Sequence, residues 1–245
     1  MHKPPAKSRL DQALVERGLV ESRQKAQALI LAGEVFLNGQ KADKPGRMIA
    51  AAAEVVVAGR QRYVSRGGLK LEAALQAFSV DPSGRICIDI GTSTGGFTDC
   101  LLQHGAALVH AVDTGAGQID WKLRMDPRVV LHENVNARYL EPAEIGEPAS
   151  LLVCDASFIS VTLLLPRFPA LLKPVGEMII LVKPQFEVGR ELVGKGGIVR
   201  DAGLHAAACE KVRIALQSLD YLTALSECPI TGVEGNREFL IHAHH

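Results

Sequence analysis

Only 4% of this 245-residue sequence is aromatic, so its core has to be built mainly from the aliphatic side chains that dominate the 47% of hydrophobic positions. No apolar run approaches the roughly 18 residues that a membrane-spanning helix requires, which argues against a membrane protein. Cysteine is scarce as well. The five that occur (Cys87, Cys100, Cys154, Cys209 and Cys228) form no Cys-x-x-Cys pair and lie in apolar surroundings. They read as reduced core residues of a cytoplasmic protein. The opening Met1-His2-Lys3-Pro4-Pro5 is charged and broken by proline, with no apolar stretch behind it, unlike a secretory signal. The length suits one full domain plus a small one.

Net charge is missing too, yet the charges are unevenly placed. Residues 1–70 carry 13 Lys and Arg against 6 Asp and Glu, a net of +7, and the remainder carries 14 against 21, a net of −7. A basic head on an acidic body points to a polyanionic partner held by the head.

In that head, Leu10, Ala13, Leu14 and Arg17 recur at helical spacing and predict a helix that stops at Gly18. Ser22 is placed to cap a second helix, with Ala26, Leu29 and Ile30 inward, Arg23, Gln24 and Lys25 opening the other face, and Gly33 ending it. Val35-Phe36-Leu37 predicts a strand closed by the hairpin pair Asn38-Gly39, and Glu54 to Ala58 a strand that pairs back onto it. Arg9, Arg23 and Lys25, near the helix starts, suit phosphate contacts with RNA. The run Arg9-Leu10-Asp11, Ser22-Arg23, Ala26, Ile30, Gly33, Val35 and Asn38-Gly39 resembles the S-four-type RNA-binding domain. That places a small α+β RNA-binding domain over 1–59. The basic stretch 60–67 then predicts an interdomain linker, whose Arg62 and Arg66 join the candidate RNA contacts.

From Arg85 the pattern alternates strands with helices, as in a mostly parallel sheet covered on both faces. The strand Arg85–Ile90 runs into Gly91-Thr92-Ser93-Thr94-Gly95-Gly96-Phe97, a glycine-rich turn that opens a helix and lets a ligand approach the backbone. Its Gly-x-x-x-Gly-Gly spacing departs from the dinucleotide Gly-x-Gly-x-x-Gly, and Asp89 stands just before it. Candidate cofactor contacts are therefore Asp89, Gly91, Ser93, Gly95, Gly96 and Phe97. Asp113, at the end of the strand Leu108–Val112, is a candidate for ribose hydroxyls, and Asn134, after the strand Arg128–Leu131, for the adenine or methionine part. Further strands deliver Asp155 after Leu151–Cys154 and Lys183 after Met178–Val182, both toward the same crevice. Gly235–Ile241 predicts a late strand carrying Glu238, and Lys70 lies on the helix Leu69–Phe78. The terminal His242, His244 and His245 lack Cys or carboxylate partners and read as surface residues, so no metal is expected.

Several long motifs stand in order along the chain: Tyr63–Leu71, Asp89–Phe97, Gly117-Gln118 with Trp121–Arg124, Cys154–Ser160, Val182–Glu187 and Glu234–Glu238. Together they resemble the TlyA (hemolysin A) family, whose catalytic domain is similar to that of the FtsJ-type rRNA methyltransferases. The resemblance implies a Rossmann-like α/β methyltransferase domain over 68–245, with S-adenosylmethionine as cofactor. It further implies a Lys-Asp-Lys-Glu tetrad, here Lys70, Asp155, Lys183 and Glu238, with Asp155 also near the cofactor. Its implied substrate is a cytidine ribose 2′-hydroxyl in ribosomal RNA, within one or both ribosomal subunits. In such a tetrad Lys183 would steer or deprotonate the hydroxyl, which requires a lysine made acidic by burial or a neighbouring cation. Lys70 would bind the target phosphate or ribose, Asp155 would orient Lys183 or pass on the proton, and Glu238 would position Lys70. Two other readings stay open: an RNA base methyltransferase, and a catalytically inert RNA-binding assembly factor. Carbon methylation needs a cysteine nucleophile, and Cys154 should face away from Asp155 because strand neighbours alternate. Membrane lysis, suggested by the family's hemolysin name, finds no spanning or amphipathic segment.

Overall fold

The computed structural model describes residues 7–51, 53–58, 62–232 and 235–245. The chain divides into two compact units, Met1–Gln61 and Arg62–His245. In the first, β1 (Lys7–Arg9), α1 (Leu10–Glu16) and α2 (Arg23–Leu31) precede β2 (Val35–Leu37), β3 (Gln40–Lys41), β4 (Met48–Ala50) and β5 (Val55–Val57). Ser22 caps α2 by accepting the Lys25 backbone N–H at 3.2 Å. Asn38 and Gly39 take φ of 48° and 77°, the left-handed pair that a tight hairpin needs. β2 pairs with β3 across that turn and with β5 on its other edge, while β1 pairs with β4. Leu10, Leu14, Ile30 and Val35 fill the core.

The second unit holds α3 (Gly67–Phe78), β6 (Ile86–Ile90), α4 (Gly96–Gln103), β7 (Leu108–Val112), α5 (Trp121–Arg124), β8 (Val129–His132), α6 (Pro142–Ile145) and β9 (Ala149–Cys154). It continues with β10 (Leu172–Val182), α7 (Pro184–Glu187), α8 (Ala202–Gln217), β11 (Leu222–Glu227) and β12 (Phe239–His244). Its seven strands stand in the order β11-β12-β10-β9-β6-β7-β8. β8, β7, β6, β9 and β10 are mutually parallel, and β12 runs antiparallel to both β10 and β11. Strand order reverses between β6 and β9, and a crevice opens beyond the carboxyl ends of strands at such a switch.

Strand residues alternate between two cores. Ile88, Leu152, Cys154, Ile180 and Val182 pack with α8 on one face, and Cys87, Leu151, Val153, Ile179 and Leu181 pack with α3 and α4 on the other. All five cysteines are free and buried. Burial pushes the Cys154 thiol up to about 12, so it is neither accessible nor ionised as a nucleophile would have to be.

Three features differ from the sequence reading. The late strand begins at Phe239, not Gly235, because the Asn236 side chain bonds the Val199 N–H and the Gly197 carbonyl and holds the approach to it irregular. His242 is a buried residue of β12, bonded to Glu177 at 2.6 Å and stacked on Phe78, and not a surface group. β12 lies between two partner strands, so its side chains point into the cores. Residues 60 and 61 of the expected linker, and Glu234, lie outside the described residues. From Arg62 onward the chain is part of the second unit: Tyr63 is 1% exposed, and the Val64 N–H is held by Asp99 at 2.8 Å.

Candidate active site

The two-residue period of the sheet brings the charged groups together. Counting on from Leu151 and Val153, Asp155 falls on the α3 face, as does Lys183 after Ile179 and Leu181, and Glu238 with Leu240. α3 packs on that face through Leu71, Ala74 and Leu75 and brings Lys70 with it. The four side chains form two ion pairs, both largely buried. Lys70 Nζ stands 2.5 Å from Glu238 Oε2. Lys183 Nζ stands 2.5 Å from Asp155 Oδ1 and donates to Ser157 Oγ at 2.7 Å. Oδ1 accepts no hydrogen bond among the described residues, so its approach to Lys183 is a Coulombic contact. Such pairing is what a lysine behind an apolar strand requires, because a lone buried charge is expensive.

All four line one cavity of 720 Å³, which the glycine turn also lines through Gly91, Thr92, Ser93, Thr94, Gly96 and Phe97. A second cavity, of 520 Å³, shares Gly91, Ser93, Asp155, Ser157 and Phe158 with it. The two therefore adjoin across these residues. The second has apolar walls from Ile90, Val112, Ala137, Ile159 and Leu164, with Asp113 on its border. Both Asp113 oxygens accept backbone N–H groups, from Ser93 and Gly115, each at 2.7 Å. An apolar slot with a fixed carboxylate, beside the cavity that the two lysines line, fits a nucleoside carrying a charged side arm. Gly91, at φ 83°, runs so close to the Asp155 carbonyl that a β-carbon there would lie 2.6 Å from it. The glycine thus lets the turn and the Asp155 loop share one wall.

Gly95 faces Leu123 and Ile119, so its missing side chain serves packing behind the turn and not the cavity. Asn134 is exposed, in a left-handed turn at φ 59°, while Asn136 lines the slot. Asp89 is fully buried beneath the turn, bonded to Thr98 at 2.7 Å, with Oδ1 unpartnered among the described residues. Burial, reinforced by Asp155 and Asp113, pushes its carboxyl up to about 7. Arg66 is exposed at the cavity rim, and Arg62 is paired with Glu72. In the first unit, buried Asp11 accepts from Arg9 at 2.9 and 3.0 Å, from Arg23 at 2.9 Å and from Gln27 at 2.8 Å. Lys25 pairs with Glu21 at 2.9 Å. Arg9, Arg23 and Lys25 remain about half exposed.

Sequence reasoning gave no role to Ser157, Phe158, Gln185 or Phe186, although each falls inside a motif it singled out. All four line the larger cavity. Phe158 is 92% exposed at φ 64° and faces the Phe186 ring at 5.4 Å. The signal for them was adjacency to Asp155 and Lys183, but which neighbours turn inward depends on a loop conformation that strand parity does not give.

Residues 63–245 match the family described as FtsJ-like methyltransferase, and residues 8–55 match the S4 domain. A Bacillus subtilis protein provisionally named rRNA methyltransferase YqxC is 51% identical over 242 residues, covering 97% of this chain and 86% of its own. The 16S/23S rRNA (cytidine-2′-O)-methyltransferase TlyA of Mycobacterium tuberculosis is 44% identical over 238 residues, covering 96% and 89%. A solved structure from Streptococcus thermophilus, provisionally named a hemolysin, is similar with a TM-score of 0.73 and 45% identity, over 97% of this chain and 88% of that one.

Proposed function

The chain belongs to the FtsJ-like methyltransferase family, and from that premise we propose that it methylates ribose 2′-hydroxyls of ribosomal RNA, at cytidines, with S-adenosylmethionine as donor. The observation that carries this reading is the pair of Lys–carboxylate contacts, Lys70–Glu238 and Lys183–Asp155, facing one cavity beside the glycine turn. The names borne by relatives and the S4 domain support ribosomal RNA as the substrate.

S-adenosylmethionine, when bound, supplies a methyl group already activated on its sulfonium. Gly91, Ser93 and Asp113 are placed to hold its nucleoside, and Asp155 borders both parts of the crevice. The protein's own task is to align the 2′-oxygen and take up its proton. Of the three directions of the Lys183 ammonium, Ser157 accepts one and Asp155 faces another. The third is left for the substrate oxygen: with one proton given to Asp155, the Lys183 amine would take up the hydroxyl proton while the methyl leaves the sulfonium sulfur for the 2′-oxygen. Lys70, held by Glu238, grips the ribose or its phosphate. Arg66 at the rim and Arg9, Arg23 and Lys25 on the first unit contact flanking phosphates.

Incubation of ribosomal subunits with the protein and methyl-labelled S-adenosylmethionine, followed by digestion to nucleosides, tests this directly. The label should appear in 2′-O-methylcytidine. Label in a methylated base would favour the base-methylating alternative, and RNA binding without any transfer would mark an assembly factor.

A further inference from the structure

The segments 155–161 and 183–187 are laced together at three levels. At the reacting end Lys183 meets Asp155 and Ser157. In the middle the rings of Phe158 and Phe186 face each other. At the far end stands Glu187, whose side chain is 2% exposed and does not line the catalytic cavity. Its Oε2 accepts from Ser160 Oγ at 2.5 Å and from Lys211 Nζ at 3.2 Å, and its Oε1 accepts from the Val161 N–H at 2.7 Å. Lys211, on α8, also donates to the Glu187 carbonyl at 2.8 Å and to Ser160 Oγ at 3.1 Å. One buried carboxylate therefore joins both catalytic segments to a long helix.

The loop it holds needs holding. Phe158 occupies the left-handed region at φ 64° while almost wholly exposed, a conformation that an aromatic residue keeps only when its surroundings impose it. Glu187 grips the chain two and three residues further on. Nothing in the transfer chemistry uses its charge, yet burying a carboxylate is costly unless the arrangement it enforces matters.

We propose that Glu187 is a positioning residue for methyl transfer: tied to α8 by Lys211, it fixes the Asp155–Ser160 loop against the Lys183 turn and so sets the Lys183–Asp155–Ser157 geometry. This rests on the reading that Lys183 acts on the 2′-hydroxyl. Misplacing a reacting group by about 1 Å costs up to about a hundredfold in rate. Glu187→Ala should therefore lower the single-turnover rate about 30- to 100-fold. Glu187→Gln, which keeps an acceptor for the Val161 N–H, and Lys211→Met should each lower it only about three- to tenfold.

The experiment is single-turnover methyl transfer to ribosomal subunits, expressed per bound S-adenosylmethionine so that misfolded protein does not count, beside calorimetric affinities for cofactor and subunits. Affinities should stay within about twofold of wild type, and in a Lys183→Ala background Glu187→Ala should cost less than about threefold more. Wild-type rates per bound cofactor in Glu187→Gln and Lys211→Met overturn the proposal, even if Glu187→Ala fails to fold. So does a loss from Glu187→Ala that is undiminished without Lys183, because a purely structural role would multiply through both backgrounds. If the wild-type protein transfers no methyl to ribose, the underlying reading falls as well. Normal ribose methylation with unaffected variants sinks this inference alone.

Discussion

Asp89 is a carboxylic acid sealed beneath the glycine turn, with none of its surface exposed. Its place before the glycine turn reads as a cofactor contact in the sequence; in the fold it lies inside the protein against Thr98. Its carboxyl, pushed up to about 7 by burial, lies above the unfolded value of about 3.9. Between those two values the folded protein binds the extra proton, so stability falls as pH rises from about 4 to 7 and levels off above. Asp89→Asn should remove that slope and leave the unliganded protein more stable at pH 8. Melting temperatures of both proteins across this window check it; parallel curves would show that Asp89 is ionised throughout. Gly95 carries a similar lesson. Its glycine was legible, but the direction of the missing β-carbon, toward Leu123, is set by a helix nearly thirty residues further along the chain.

At the level of elements, buried parallel strands are legible because both faces are apolar: the runs Arg85–Ile90, Leu151–Cys154 and Met178–Val182 correspond to β6 (Ile86–Ile90), β9 (Ala149–Cys154) and the end of β10 (Leu172–Val182). Asp155 and Lys183, just past two of these carboxyl ends, line one cavity. β12 was the difficult strand. Histidines at alternate positions look like a polar tail, and only the pairing with β10 and β11 makes His242 an interior residue. Leu240, Ile241 and Ala243 are at most 1% exposed. Burial of each large aliphatic side chain contributes roughly 1.5–3 kcal/mol, and the strand also bonds two neighbours, against a total stability of about 5–15 kcal/mol for a typical domain. Deleting residues 240–245 should therefore abolish the folded second unit. Far-UV circular dichroism and thermal melts decide this, and a variant melting cooperatively near the wild-type temperature would contradict the role given to β12.

For the whole molecule, the charge asymmetry of the sequence suits the proposed division of labour between a basic RNA-holding head and a catalytic body. Arg9 and Arg23, the candidate phosphate contacts of the head, are not free-standing cations. Each also neutralises Asp11, whose carboxyl the Arg9 hydrogen bonds, with those of Gln27 and Arg23, hold well below the usual carboxylate range despite burial. Replacing Arg9, Arg23 and Lys25 with Ala should weaken RNA binding and flatten its salt dependence by up to about one unit of slope per lost phosphate contact. S-adenosylmethionine affinity should be unchanged. An unaltered slope, measured by titration at several salt concentrations, would place the RNA elsewhere. The second unit is expected to do the chemistry, with Lys183 steering or deprotonating the 2′-hydroxyl. A general base typically contributes about a hundred- to ten-thousand-fold, so Lys183→Ala should lose at least that much turnover with cofactor and RNA binding nearly intact. Lys183→Arg should be no better, because a guanidinium does not release its proton at working pH. The deciding measurement is single-turnover methyl transfer by the full chain to ribosomal subunits. Transfer by Lys183→Arg as slow as by Lys183→Ala is the predicted result, and near-wild-type transfer by Lys183→Arg would contradict it.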